Sequence, residues 1–158
     1  MQQQKDQEKE AYNFVLKLIG VHLRTIFEIE NKLKDKNFSQ KVIDQTIVLL
    51  KDQGYLDDKQ YAEAWIEERI KNRPSGRALC WKKLREKGIE KDIIDKILGQ
   101  ILDEKKEIKL ALKLAQNKKA ELKARQVHWK KIPGRIGFFL QSRGFPTNII
   151  IEVLEQLK

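Results

Sequence analysis

Cysteine is almost missing from this sequence: Cys80 stands alone among 158 residues, so no internal disulfide can form and a stapled extracellular scaffold is excluded. No apolar run approaches the roughly 18 residues of a membrane-spanning helix, and the first ten residues, MQQQKDQEKE, lack the apolar core of a signal peptide. A soluble cytoplasmic protein without membrane attachment is expected. Histidine is scarce too, with only His22 and His128, far apart and without a cysteine or carboxylate cluster at metal-ligand spacing. No Walker loop, GxSxG or HExxH is present, so neither catalysis nor a metal or other cofactor is expected. Three prolines and eight glycines, against abundant Lys, Glu, Leu and Ile, favour helix over sheet.

What the chain has in excess is positive charge. Thirty-three Lys and Arg against 23 Asp and Glu give a formal charge of +10, which points to a polyanion or an acidic protein surface as partner. The excess is uneven: residues 1–51 carry +2, residues 52–104 carry −1, and residues 105–158, with 13 basic against four acidic side chains, carry +9.

In chain order, residues 1–8 are polar and expected to fray, whereas Ala11, Phe14, Val15, Leu18 and Ile19 form one stripe of a first helix that ends near Gly20. Thr25 followed by Glu28 is a capping box, in which the threonine oxygen accepts the Glu28 amide and the carboxylate reaches back to the Thr25 amide. The second helix, with Ile29 and Leu33, stops at Asn37, a residue that tolerates the left-handed cap. Ser39 caps a third helix bearing Val42, Ile43, Ile47 and Leu50.

This arrangement recurs. Leu33-x-x-Lys36-Asn37-Phe38-x-x-x-Val42-Ile43, Leu84-x-x-Lys87-Gly88-Ile89-x-x-x-Ile93-Ile94 and Leu140-x-x-Arg143-Gly144-Phe145-x-x-x-Ile149-Ile150 match at every apolar and hinge position, at intervals of 51 and 56 residues. Each copy describes a helix ending on a basic residue, a hinge that accepts positive φ, and an apolar residue that staples the next helix. With a further helix before each copy, the chain is predicted to be all-α: three tandem three-helix units, 8–53, 54–102 and 103–158, in an elongated, curved array. Units of this size are marginal alone, so neighbours should constrain one another.

The central stretch is the most distinctive. Gly54 makes a turn, Asp57-Asp58 caps a helix with Tyr61, Ala62, Trp65 and Ile66 on one face, and Arg73-Pro74-Ser75-Gly76 breaks it before a second helix that ends at Gly88. The order Gly54-Tyr55-Leu56-Asp57-Asp58, Tyr61-Ala62, Ile66, Arg69, Gly76, Leu84 and Lys87-Gly88-Ile89 resembles the signature of the RecX family, the bacterial regulators of the recombinase RecA. Upstream, Arg24-Thr25, Glu28-Ile29, Lys32-Leu33 and Lys36-Asn37-Phe38 fit the same family. The resemblance implies a protein that binds RecA filaments on single-stranded DNA, in the filament groove, and inhibits recombinase activity, either by capping filament ends or by coating the groove. A monomer with weak direct contact to DNA is expected. Its mechanism would be occupancy and filament destabilisation.

The individual motifs have plainer readings beside this one. Asp57-Asp58 suits helix capping better than metal binding or acid–base chemistry. Cys80, whose counterparts are Ile29 and Ile136, suits a small buried hydrophobe, and Trp65 suits the core. Trp81 aligns with Glu30 and Gly137 and is expected to be partly exposed. Two basic sets are the candidate contact surfaces: Arg69, Arg73, Arg77, Trp81, Lys82, Lys83 and Arg85 in the second unit, and Lys118, Lys119, Lys123, Arg125, Lys130, Lys131 and Arg135 in the third. A direct DNA-binding protein using helix-turn-helix-like units and the same basic surfaces is the competing reading. A scaffold protein using the concave face of the array is a third.

Overall fold

The computed structural model describes residues 1–158, which form nine α-helices and no strand. They run in three triplets: α1 (Gln2–Val21), α2 (Ile26–Asp35) and α3 (Gln40–Asp52); α4 (Asp58–Asn72), α5 (Arg77–Glu86) and α6 (Lys91–Ile101); α7 (Glu104–Ala124), α8 (Ile132–Ser142) and α9 (Thr147–Gln156), with a short 3-10 turn at Trp129–Lys131 before α8. By contact the chain resolves into two compact bodies, Met1–Ala62 with Leu84–Ile94, and Glu63–Lys83 with Asp95–Lys158. Their boundaries pass through α4, α5 and α6.

The repeated corners are built alike. Asn37, Gly88 and Gly144 have φ of 64°, 82° and 84°, the left-handed conformation that asparagine tolerates and glycine, lacking a Cβ, adopts freely. At each corner the next amide closes back on the recurring leucine: Phe38 N–H to Leu33 O at 3.3 Å, Ile89 to Leu84 at 3.2 Å and Phe145 to Leu140 at 3.1 Å. These bonds satisfy carbonyls that the helix ends would leave orphaned. Leu33, Leu84 and Leu140 are wholly buried, a burial worth about 1.5–3 kcal/mol each. Tyr55 after Gly54 (φ 80°) and Val127 after Gln126 (φ 59°) close the same way, on Leu50 O and Leu122 O. Gln126 is a hinge that residue type alone does not announce.

In the first body α1 and α2 pack on α3, with Ala11, Val15, Ile29, Leu33, Val42, Ile43, Ile47, Leu50 and Leu56 in the core. In the second, α7, α8 and α9 pack on one another around Ala111, Ala115, Leu122, Ile132, Ile136, Leu140, Phe145, Ile149 and Val153. Thr25 and Ser39 cap α2 and α3 through the Glu28 and Val42 amides. Asp57 accepts the Lys59 and Gln60 amides at 3.0 and 3.2 Å, so it is a cap.

One junction occurs twice. In the first body the Thr25 hydroxyl donates to Lys87 O at 2.7 Å, the Ile26 amide donates to Asp58 Oδ1 at 2.9 Å, and Phe27 lies so close to Gly88 that an added Cβ would overlap its Cβ and Cγ. In the second body the Gly76 amide donates to Arg143 O at 2.8 Å, the Arg77 amide donates to Glu107 Oε1 at 2.9 Å, and Leu79 occupies the space a Cβ on Gly144 would need. Thr25 and Gly76 are equivalent in the repeat, as are Lys87 and Arg143. A carboxylate on the first helix of one triplet thus caps the second helix of the triplet before it, and the hinge glycine admits that helix start. Burial raises the pKa of both Asp58 and Glu107 above the ordinary carboxylate value. Asn37 is exposed and serves as a left-handed cap alone. On α8 the position equivalent to Ile26 and Arg77 is Pro133, in the first turn, which lacks the amide that would need a partner.

Three expectations are corrected. Residues 2–8 are helical, supported by i,i+4 pairs of Gln2 with Asp6 and Gln4 with Glu8. The Glu28 carboxylate does not close the capping box: Oε1 lies 3.1 Å from Lys87 Nζ, a hydrogen bond that raises the lysine pKa. Trp65 is half-buried, because the buried stripe of α4 narrows to Ala62 and Ile66; the Arg69 guanidinium lies 5.2 Å from its ring centroid.

Candidate functional site

The second-unit basic set is built on the end of α4, the breaker and α5. Arg69 is half-buried and its Nε donates to Ser75 Oγ at 3.2 Å, while Ser75 Oγ donates to Arg73 O at 2.9 Å. This arginine therefore holds the breaker in shape as well as shielding Trp65. Trp81 is half-buried, as its place in the repeat implied, and its indole N–H donates to Asp95 Oδ1 at 3.0 Å. Arg73 and Lys82 are exposed, and Arg77 and Lys83 are half-buried. These six belong to the second compact body, whereas Arg85 belongs to the first, where its Nη1 donates to Ile89 O at 2.9 Å. Cys80 is wholly buried, its Sγ 3.9 Å from Ser75 O, and burial pushes its thiol up to about 11, so it stays protonated near neutral pH.

The third-unit set is brought together more closely. α7 and α8 form a groove of about 440 Å³ lined by Lys118, Arg125, Arg135, Gly134, Phe138 and Phe139, with Leu122 and Ser142. Lys118 Nζ is 3.2 Å from Glu121, and Arg125 Nη2 is 3.5 Å from the same carboxylate, which aligns both cations on α7. Lys118 and Arg143 lie over the Phe139 ring at 5.2 Å each. Lys119 is turned elsewhere, its Nζ donating to Leu157 O at 2.9 Å. Lys123 is exposed on the last turn of α7, and Lys130 and Lys131 are exposed on the 3-10 turn, where Lys130 lies 5.5 Å from the Trp129 ring.

Two exposed aromatics belong to this surface, and composition and charge had not singled them out: Phe138 is 74% and Trp129 70% exposed. The signal for Phe138 was in the repeat. Phe138-Phe139 stands where the other units carry Asn31-Lys32 and Lys82-Lys83, positions on the solvent side of their helices. Phe138 is therefore not a core residue, whereas Phe139 beside it is half-buried against the core of the second body.

A further cleft, about 570 Å³ in the first body, has Asp57 and Asp58 in its wall. Both carboxylates accept backbone amides, so their polar capacity is spent on helix starts.

Comparison with known proteins gives this architecture a lineage. Residues 11–48 match the family description "RecX, first three-helix domain", and residues 57–98 match "RecX, second three-helix domain". The regulatory protein RecX of Chlorobium phaeobacteroides (strain BS1) is 32% identical over 150 residues, 95% of each chain. That of Clostridium botulinum (strain Alaska E43 / Type E3) is 32% identical over 141 residues, and this chain spans 65% of its length. The crystal structure of RecX from Lactobacillus salivarius has a TM-score of 0.88 at 25% identity over 97% of both chains. With both family domains in order and a relative of this identity matched along nearly its whole length, the chain belongs to the RecX family of regulatory proteins.

Proposed function

We propose that this protein binds the filament of a RecA-type recombinase on single-stranded DNA and inhibits its ATP hydrolysis and strand exchange, so modulating recombination and DNA repair. Membership of a family of regulatory proteins carries the reading. The charge distribution supports it, since exposed cations lie on both the α4–α5 face and the α7–α8 face while Asp57, Asp58, Glu107 and Cys80 are absorbed in capping and packing. A protein of this kind acts by occupancy. It works in the cytoplasm, as a monomer, without cofactor, and its contact with naked DNA is weak.

The competing reading is a direct DNA binder using the same basic surfaces. Fluorescence anisotropy of labelled single-stranded DNA, bare or coated with recombinase, separates the two. A filament regulator binds the coated strand well and the bare strand weakly. A chain that binds bare and coated strands equally is a DNA-binding protein instead.

A further inference from the structure

The α7–α8 groove combines several cations with an exposed aromatic ring. Arg125 and Arg135 line it as planar, permanently charged donors, and Lys118 adds a third cation. Phe138 offers a ring 74% open to solvent in a register where the other two units carry Asn31 and Lys82. Gly134, one turn before Phe138 on α8, leaves the lining open, for a Cβ added there meets nothing within 4 Å. Charge alone would be served by lysine at position 138, as at Lys82. An exposed phenyl ring beside guanidinium groups suits a ligand that has both a flat π-face and anionic groups.

We infer that this groove binds a single strand of DNA directly, with an unstacked base laid on Phe138 and the neighbouring phosphates held by Arg125 and Arg135. The inference rests on the filament reading for its setting, since the strand is the one a recombinase coats, and it names what this part of the chain grips. A duplex is a poorer ligand because its base faces are covered by their neighbours in the stack, leaving only the phosphates to be recognised. An acidic peptide would satisfy the cations but leave the ring without a flat partner.

The test is anisotropy of a labelled oligothymidylate and of a duplex of equal length, using the full chain at several salt concentrations. The single strand should bind more tightly than the duplex. Phe138→Ala should weaken single-strand binding at least about fivefold, the low end of a base–aromatic stack, while leaving the salt slope unchanged because no phosphate contact is lost. Arg135→Ala should lower that slope by about one counterion. Gly134→Leu fills the groove and should weaken binding as Phe138→Ala does, with helical circular dichroism retained. Lys123→Ala removes a charge outside the groove lining and should leave the preference for single strands intact.

Wild-type affinity in both Phe138→Ala and Gly134→Leu, or duplex bound as tightly as single strand, would overturn the inference. So would competition by polyglutamate as effective as that by unlabelled oligothymidylate, which would identify the groove as an acidic-peptide site. The two readings fail separately. Phe138-dependent binding of the bare strand, with the recombinase's ATP hydrolysis untouched, sinks the filament reading and upholds the groove. Inhibition that persists while Phe138→Ala leaves strand binding unchanged sinks the groove alone.

Discussion

Replacing Gly88 by alanine tests the junction that joins one triplet to the next. The residue has φ of 82°, where an L side chain costs about 1–2 kcal/mol, and its Cβ would overlap Phe27 Cβ and Cγ. Phe27 Cβ is fixed to its helix and cannot rotate away, so repacking adds about 1–3 kcal/mol, for a total loss of about 2–5 kcal/mol. Gly54→Ala is the matched control: φ is 80°, but nothing lies within 4 Å of the added Cβ, so only the backbone cost of about 1–2 kcal/mol should appear. Urea titrations followed by circular dichroism give both losses. Equal losses for Gly88→Ala and Gly54→Ala would refute the claim that the hinge glycine is required by close approach of the neighbouring helix.

Other outcomes follow from the same contacts. Leu84→Ala, at a wholly buried repeat position, should cost about 2–5 kcal/mol in the same titration, and the exposed Lys82→Ala should stay within about 0.5 kcal/mol. Asp58 and Glu107 hold their protons more readily in the folded chain than in the unfolded one, so the stability they contribute falls as pH rises from the ordinary carboxylate value through the raised one, and is flat above it. The Asp58→Asn, Glu107→Gln double variant should show a flatter stability profile across that interval, measured as urea midpoint against pH. Neutralising Lys118, Lys119, Lys123 and Arg125 should weaken binding to recombinase-coated DNA and flatten its salt dependence. Neutralising Arg73, Arg77, Lys82 and Lys83 should weaken filament binding while sparing bare DNA if that face meets acidic side chains of the recombinase, as anisotropy on the two ligands would show.

The helices and corners were legible in the sequence because their causes are local. Asn37, Gly88 and Gly144 announce the hinge by residue type, Leu33, Leu84 and Leu140 announce the buried face by spacing, and Thr25, Ser39 and Asp57 announce helix starts. What escaped depends on pairing between distant residues. Glu107 sits among helix-forming charges on α7, and only the fold brings it to the Arg77 amide. Glu28 fits a capping box by spacing, but Lys87, 59 residues later, takes its carboxylate. Trp65 lies on the apolar side of α4, yet the buried stripe there is only as wide as Ala62 and Ile66. The two basic sets were visible as runs of charge, whereas their arrangement was not. Lys118, Arg125 and Arg135 converge on one groove, Lys119 turns to the Leu157 carbonyl, and Arg69 is engaged with Ser75 and Trp65.

The most direct test of the proposed regulation is the steady-state rate of ATP hydrolysis by a RecA-type recombinase on single-stranded DNA, measured as this protein is added. Regulation by filament occupancy predicts a rate that falls with concentration, and falls less when either basic set is neutralised. A rate that stays unchanged while the protein binds the same DNA would contradict the proposal.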